Sequence, residues 1–112
     1  MTLITQVQLV APIQLAGSDA TVYTAPTLTA AQIGRAIFCN TTASAVTITA
    51  GITTGGALGA STTMISARTV APGETYPSPE LAGAVIPPGS VLRAYASDGS
   101  AITFTASGLI IQ

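Results

Sequence analysis

Gly34-Arg35-Ala36-Ile37-Phe38-Cys39-Asn40-Thr41-Thr42-Ala43-Ser44-Ala45-Val46-Thr47-Ile48-Thr49-Ala50 decides the fold class. Gly34 to Asn40 holds a continuous apolar centre, Ala36-Ile37-Phe38-Cys39, which predicts a strand buried on both faces. Asn40 to Ser44 reads as a polar turn. Ala45 to Ala50 then alternates, with Val46 and Ile48 on one side and Thr47 and Thr49 on the other. A period of two is the mark of a half-buried strand. Together the stretch predicts an antiparallel hairpin.

Working outward, the same signals recur. Upstream, Leu28-Thr29-Ala30-Ala31-Gln32-Ile33 is the only helix-like piece and reads as a single turn closed by Gly34. Thr21 to Ala25 is a short strand stopped by Pro26, and Gly17-Ser18-Asp19 is a turn. Thr5 to Ile13 is broken by Pro12, which cannot donate a ladder hydrogen bond. Residues 1–13 therefore read as an N-terminal arm or edge strand, and residues 14–112 as one β-sandwich domain.

Downstream, Gly51 to Ala60 reads as a long flexible loop. Thr62 to Arg68 is a strand with Met64 and Ile65 toward the inner face. Pro72-Gly73 predicts a type II turn, with Pro at its second position and Gly at its third. Leu81 to Ile86 is a further strand ended by Pro87-Pro88-Gly89. Ser90 to Ala96 and Ala101 to Ile111 predict a last hairpin across Asp98-Gly99, with a bulge at Gly108. About seven or eight short strands punctuated by turns predict an all-β fold, an antiparallel β-sandwich or jelly-roll-like domain.

Composition narrows the function. Of 112 residues, 48% are apolar and only 6% are charged, against a usual ~25%. Arg35, Arg68 and Arg93 are the only bases, and Asp19, Glu74, Glu80 and Asp98 the only acids. With no His, the commonest general base and metal ligand is missing, and a Ser-His-Asp or Cys-His arrangement cannot be built within the chain. Cys39, the single cysteine, makes no internal disulfide or zinc cluster and reads as a buried structural thiol. No enzyme activity, cofactor or metal site is expected. Three scattered arginines do not make a nucleic-acid footprint. No apolar run approaches the ~20 residues of a membrane span, and the first residues lack the basic region of a secretory signal. Neither nucleic acid nor membrane is an expected partner.

Other motifs have plain readings. Gly55-Gly56-Ala57-Leu58-Gly59 lacks the Lys of a phosphate loop and is an inter-strand loop. Thr27-Leu28-Thr29, Thr47-Ile48-Thr49 and Thr103-Phe104-Thr105 are too unevenly spaced for an ice-binding array and fit the polar faces of strands. Tyr23, Tyr76 and Tyr95 are of a type that stacks on sugars, but no convergent set of acids and amides accompanies them. Asp98 is a turn residue. The arginines, set among apolar residues, sit either at exposed strand edges or in selective pairs with Glu74, Glu80 or Asp98.

The run Val22-Tyr23-Thr24-Ala25-Pro26, followed by Arg35 to Thr49, resembles small β-sandwich virion proteins of tailed bacteriophages. The resemblance continues through Val70-Ala71-Pro72-Gly73-Glu74-Thr75, Ile86-Pro87-Pro88-Gly89-Ser90-Val91-Leu92-Arg93-Ala94 and Ile102 to Gly108, covering roughly residues 21–108. Leu28–Ile33 and the glycine-rich 51–60 loop depart from it. The resemblance implies a virion component: a capsid decoration (cement) protein, or a neck or tail protein. It brings no catalytic residue.

A chain so poor in ions reads as a subunit whose outer faces are partly covered by neighbours; the rival reading is a neutral surface kept soluble by Ala, Thr and Ser. The expectation is a capsid decoration protein, made in the host cytoplasm and residing in the virion. Its expected partners are the major capsid protein or other virion proteins, and it is expected to be a homo-oligomer, a trimer being one such state. The alternatives are a neck or tail component and a carbohydrate-binding attachment module. The subunit-interface candidates are Leu3, Ile4, Val7, Leu9, Arg35, Arg68, Tyr76 and Tyr95.

Overall fold

A computed structural model of the chain describes residues 3–112; the first two residues of the expected N-terminal arm lie outside the described residues. The fold is all-β, with no helix among the described residues. Nine strands form two antiparallel sheets in a sandwich-like arrangement: β1 (Ile4–Gln14), β2 (Ala20–Thr24), β3 (Ala30–Asn40), β4 (Val46–Thr53), β5 (Thr63–Val70), β6 (Thr75–Pro77), β7 (Val85–Ile86), β8 (Val91–Ala96) and β9 (Ile102–Ile111). The first sheet runs β1-β9-β3-β6, with β7 pairing β3 further along the same strand, and the second runs β2-β8-β4-β5.

The core is built from one alternating face of each sheet. On the first sheet a row of directly opposed residues, Tyr76, Phe38 and Phe104, stacks across three strands, with Phe38 and Phe104 ring centroids 4.7 Å apart. Small residues of the second sheet, Ala50, Ala94 and Ala96, pack in the same core and make room for these rings. Ile33, Ile48, Leu92 and Ile102 fill the remainder.

Every connection changes sheet except β4–β5 and β6–β7. This corrects two expectations. Asn40 to Ala45 is a corner between sheets, not a hairpin turn, and β8 and β9 likewise lie in different sheets. Asn40 makes the first corner. Its fully buried side-chain amide donates to the carbonyls of Ser44 (2.8 Å) and Val70 (3.0 Å), and its oxygen accepts from the Thr42 amide and hydroxyl. A buried amide with its donors and acceptor used this way holds the corner without an unpaired polar atom.

Other details also differ. Ala30 to Ile33 is strand, because pairing with β9 and β7 overrides the helical leaning of Ala and Gln. Ile37 and Cys39 are half-buried on the outer face, so β3 is not buried on both sides and the thiol is not a core group. Met64 is exposed while Ile65 is buried. The Pro72-Gly73 turn forms as expected: Gly73 has φ 72° and the Glu74 amide donates to the Ala71 carbonyl at 3.0 Å. In the β8–β9 corner the positive φ falls on Ser100, not on Gly99. The irregularity near Gly108 lies on the neighbouring strands, β3 shifting register at Gly34 and β1 between Val7 and Val10. The strand expected over Leu81 to Ile86 shrinks to Val85–Ile86.

Candidate interaction surface

Register places the surface residues. Ile4, Ile111 and Ala30 form one row across β1, β9 and β3; Gln6, Leu109, Gln32 and Val85 form a second across β1, β9, β3 and β7. The row between them, Thr5, Ile110, Ala31 and Ile86, contains the fully buried Ala31 and Ile86 and so faces the core. The two flanking rows therefore face outward. Ile4 is 59% exposed, Val85 51%, and Leu109 and Ile111 are half-buried, so apolar side chains of β1, β9 and β7 stand on the outside of the first sheet, with Gln32 of β3 between Leu109 and Val85. Leu3, 54% exposed, sits at the same end, as does Leu28, 84% exposed in the turn before β3.

Arg35 is the only charged residue in the strands of this sheet. It stands opposite Ser107, beside the register shift at Gly34. A shallow open groove lies there, lined by Gln6, Gln8, Gly34, Ser107 and Leu109 among others. No titratable side chain lines it, so it offers shape and amide hydrogen bonds rather than acid–base chemistry.

The other interface candidates lie apart. Val7 faces inward opposite Gly108, and Leu9 packs partly against the core. Tyr95 is half-buried in the second sheet opposite Thr49. Tyr76 is 7% exposed and belongs to the core. Arg68 reaches from the edge of the second sheet and lays its guanidinium 4.1 Å from the centre of the Tyr76 ring. The Tyr76 hydroxyl donates to Glu80 at 2.6 Å, and Ser78 donates to the same carboxylate oxygen. Burial pushes the Tyr76 phenol up, and the Glu80 carboxylate beside it adds to the rise. The same hydrogen bond from Tyr76 holds Glu80 below its ordinary value, against the opposing effect of its partial burial. These residues seal the open side of the sandwich between β5 and β6. The three tyrosines do not share a face: Tyr76 is internal and Tyr23 packs on the core.

A second polar cluster pins the glycine-rich loop. Asp19 pairs with Arg93 (2.9 Å), the only ion pair among the described residues, and accepts from the Leu58 amide at 2.8 Å. Arg93 also donates to Thr21. Burial pushes the Asp19 carboxyl up, but the Leu58 amide and Arg93 outweigh it and leave the group below its ordinary value. The acid chosen by Arg93 is thus Asp19, none of the three expected. The 74 positions between them hide the pair from any local reading.

Of the interface candidates, Leu3 and Ile4 are exposed apolar residues and Arg35 is exposed on β3; the exposed Leu28 and Val85 and the half-buried Leu109 and Ile111 were not among those candidates. Only the pairing of chain ends through β1 and β9 puts the last two beside Ile4.

No protein-family model matches the chain, and no curated protein matches it. Among solved structures, the crystal structure of the infectious bursal disease virus VP2 subviral particle is similar, with a TM-score of 0.48 and 14% sequence identity over 98% of this chain. The match spans 32% of that chain, about a third of its length.

Proposed function

We propose that the chain is a structural subunit of a tailed-bacteriophage virion, a capsid decoration protein that bridges neighbouring capsid subunits. The observation that carries this reading is the outer face of the first sheet: Ile4 and Ile111 in one row and Leu109 and Val85 in the next outward row, with Arg35 as the sole charge in that sheet's strands. A patch of this kind marks a surface that associates. Rows of Thr, Gln and Ser on the remainder of the face supply hydrogen bonds without a charge to desolvate. The resemblance of residues 21–108 to small virion sandwiches supports the same reading.

The mechanism is linkage. A protein that binds the assembled shell and not the separated subunits stabilises the shell by mass action, in proportion to the logarithm of its concentration over its dissociation constant. The sandwich supplies rigidity, and the neutral face supplies contact. The test is a comparison of heads with and without this chain. Heads lacking it are expected to release their genome at lower temperature, and added purified protein is expected to restore them. Unchanged heat resistance overturns the reading.

A further inference from the structure

We infer that the free edge of β1 is a docking edge for β1 of a second copy of this chain, the two strands pairing antiparallel across a two-fold axis. The hydrogen-bond phase of β1 supports this. The Leu3 amide donates to the Gln112 carbonyl (3.0 Å) and the Gln112 amide donates back to Leu3 (2.8 Å). Register then runs unbroken from Ile4–Ile111 to Val7–Gly108. In an antiparallel ladder such exchanging pairs alternate with pairs whose backbone groups point away. Thr5 and Val7 therefore bond to β9, while the N–H and C=O of Ile4 and Gln6 face outward from the sheet edge.

The other edges are blunted in ways that discourage strand addition. β6 is three residues long and ends in Pro77, and β7 is followed by Pro87. β5 carries Arg68, two register shifts and a positive φ at Ala67, and the short β2 has a register shift of its own. β1 has eleven residues and no charge; its own two register shifts and Pro12 all lie past Val7, which leaves a regular stretch from Ile4 to Val7.

Charge selects the occupant. No residue before Asp19 is charged. A two-fold that lays this edge on itself brings no like charges together, whereas a charged strand would be desolvated against Leu3 and Ile4. With the axis at Gln6, the two copies' Gln6 side chains are neighbours, and each amide both donates to and accepts from the other. The pairing is isologous. It joins the two first sheets into one continuous sheet and makes their outer apolar side chains neighbours. This inference concerns the isolated chain and does not depend on the virion reading.

The test is the mass of the purified full chain by sedimentation equilibrium, with two variants. Gln6→Pro removes an outward N–H and leaves every β1–β9 bond in place; Gln6→Lys sets two like charges near the axis. The wild type is expected to sediment as a dimer, Gln6→Pro as a monomer with native circular dichroism, and Gln6→Lys with dimer affinity reduced about tenfold or more. Should Gln6→Pro fail to fold, Gln6→Lys decides. A wild-type monomer at every concentration, a trimer, or a dimer untouched by Gln6→Lys overturns the inference. None of these results bears on whether heads need the protein.

Discussion

Gly108 lies so close to Gln32 on the neighbouring strand that a Cβ at position 108 would overlap the Gln32 carbonyl oxygen and stand 2.8 Å from the Gly34 amide nitrogen. The absent side chain lets β9 pass β3 where the latter shifts register. Because β9 is the central strand that carries both β1 and β3, the contact holds the whole apolar end of the first sheet in place.

Gly108→Ala is therefore expected to destabilise the fold by about 2–3 kcal/mol, since backbone on a paired strand must move to admit the methyl. Urea unfolding checks this. Gly56→Ala, where nothing lies within 4 Å, is the control and is expected to change stability by about 0.5 kcal/mol or less.

Asn40→Ala is expected to cost about 2–4 kcal/mol, because the Val70 and Ser44 carbonyls lose their shared donor in a buried corner. The same unfolding measurement reads it. A loss under about 0.5 kcal/mol would mean the corner is held by chain connectivity alone.

Asp19→Asn is expected to free the 54–62 loop while leaving the sandwich intact. The ion pair is partly exposed, so the stability change is about 1 kcal/mol or less. The local effect is larger: hydrogen exchange at the Leu58 amide should accelerate, because its acceptor loses its charge.

Acid should weaken the protein, with a definite sign. Asp19 and Glu80 both have carboxyls held below their ordinary values in the fold. The unfolded chain therefore takes up protons first as pH falls. The stabilisation is complete above the ordinary carboxylate range and disappears as pH drops through the lower folded values, between about pH 5 and 2. Melting temperature against pH checks this. Tyr76→Phe should flatten the acid limb by returning Glu80 toward its ordinary value.

Much of the architecture was legible locally. Alternation at Val46 and Ile48 and the Pro72-Gly73 turn both depend on a few adjacent residues. The sheet assignments were not legible. A strand, a polar turn and a strand read as a hairpin whether or not the chain crosses to the other sheet. The difference lies in Asn40 reaching Val70, 30 positions away. The surface suffered the same limit. Leu109 and Ile111 look like core residues until β1 is set beside β9, and Tyr76 looks like a surface aromatic until Arg68 and Glu80 close over it.

Purified particles provide the central measurement: the copy number of this chain per virion, by quantitative mass spectrometry. The account expects hundreds of copies, in fixed ratio to the major capsid protein. A handful of copies would move the chain to the neck or tail, and its absence from particles would contradict the claim that other virion subunits cover its neutral face.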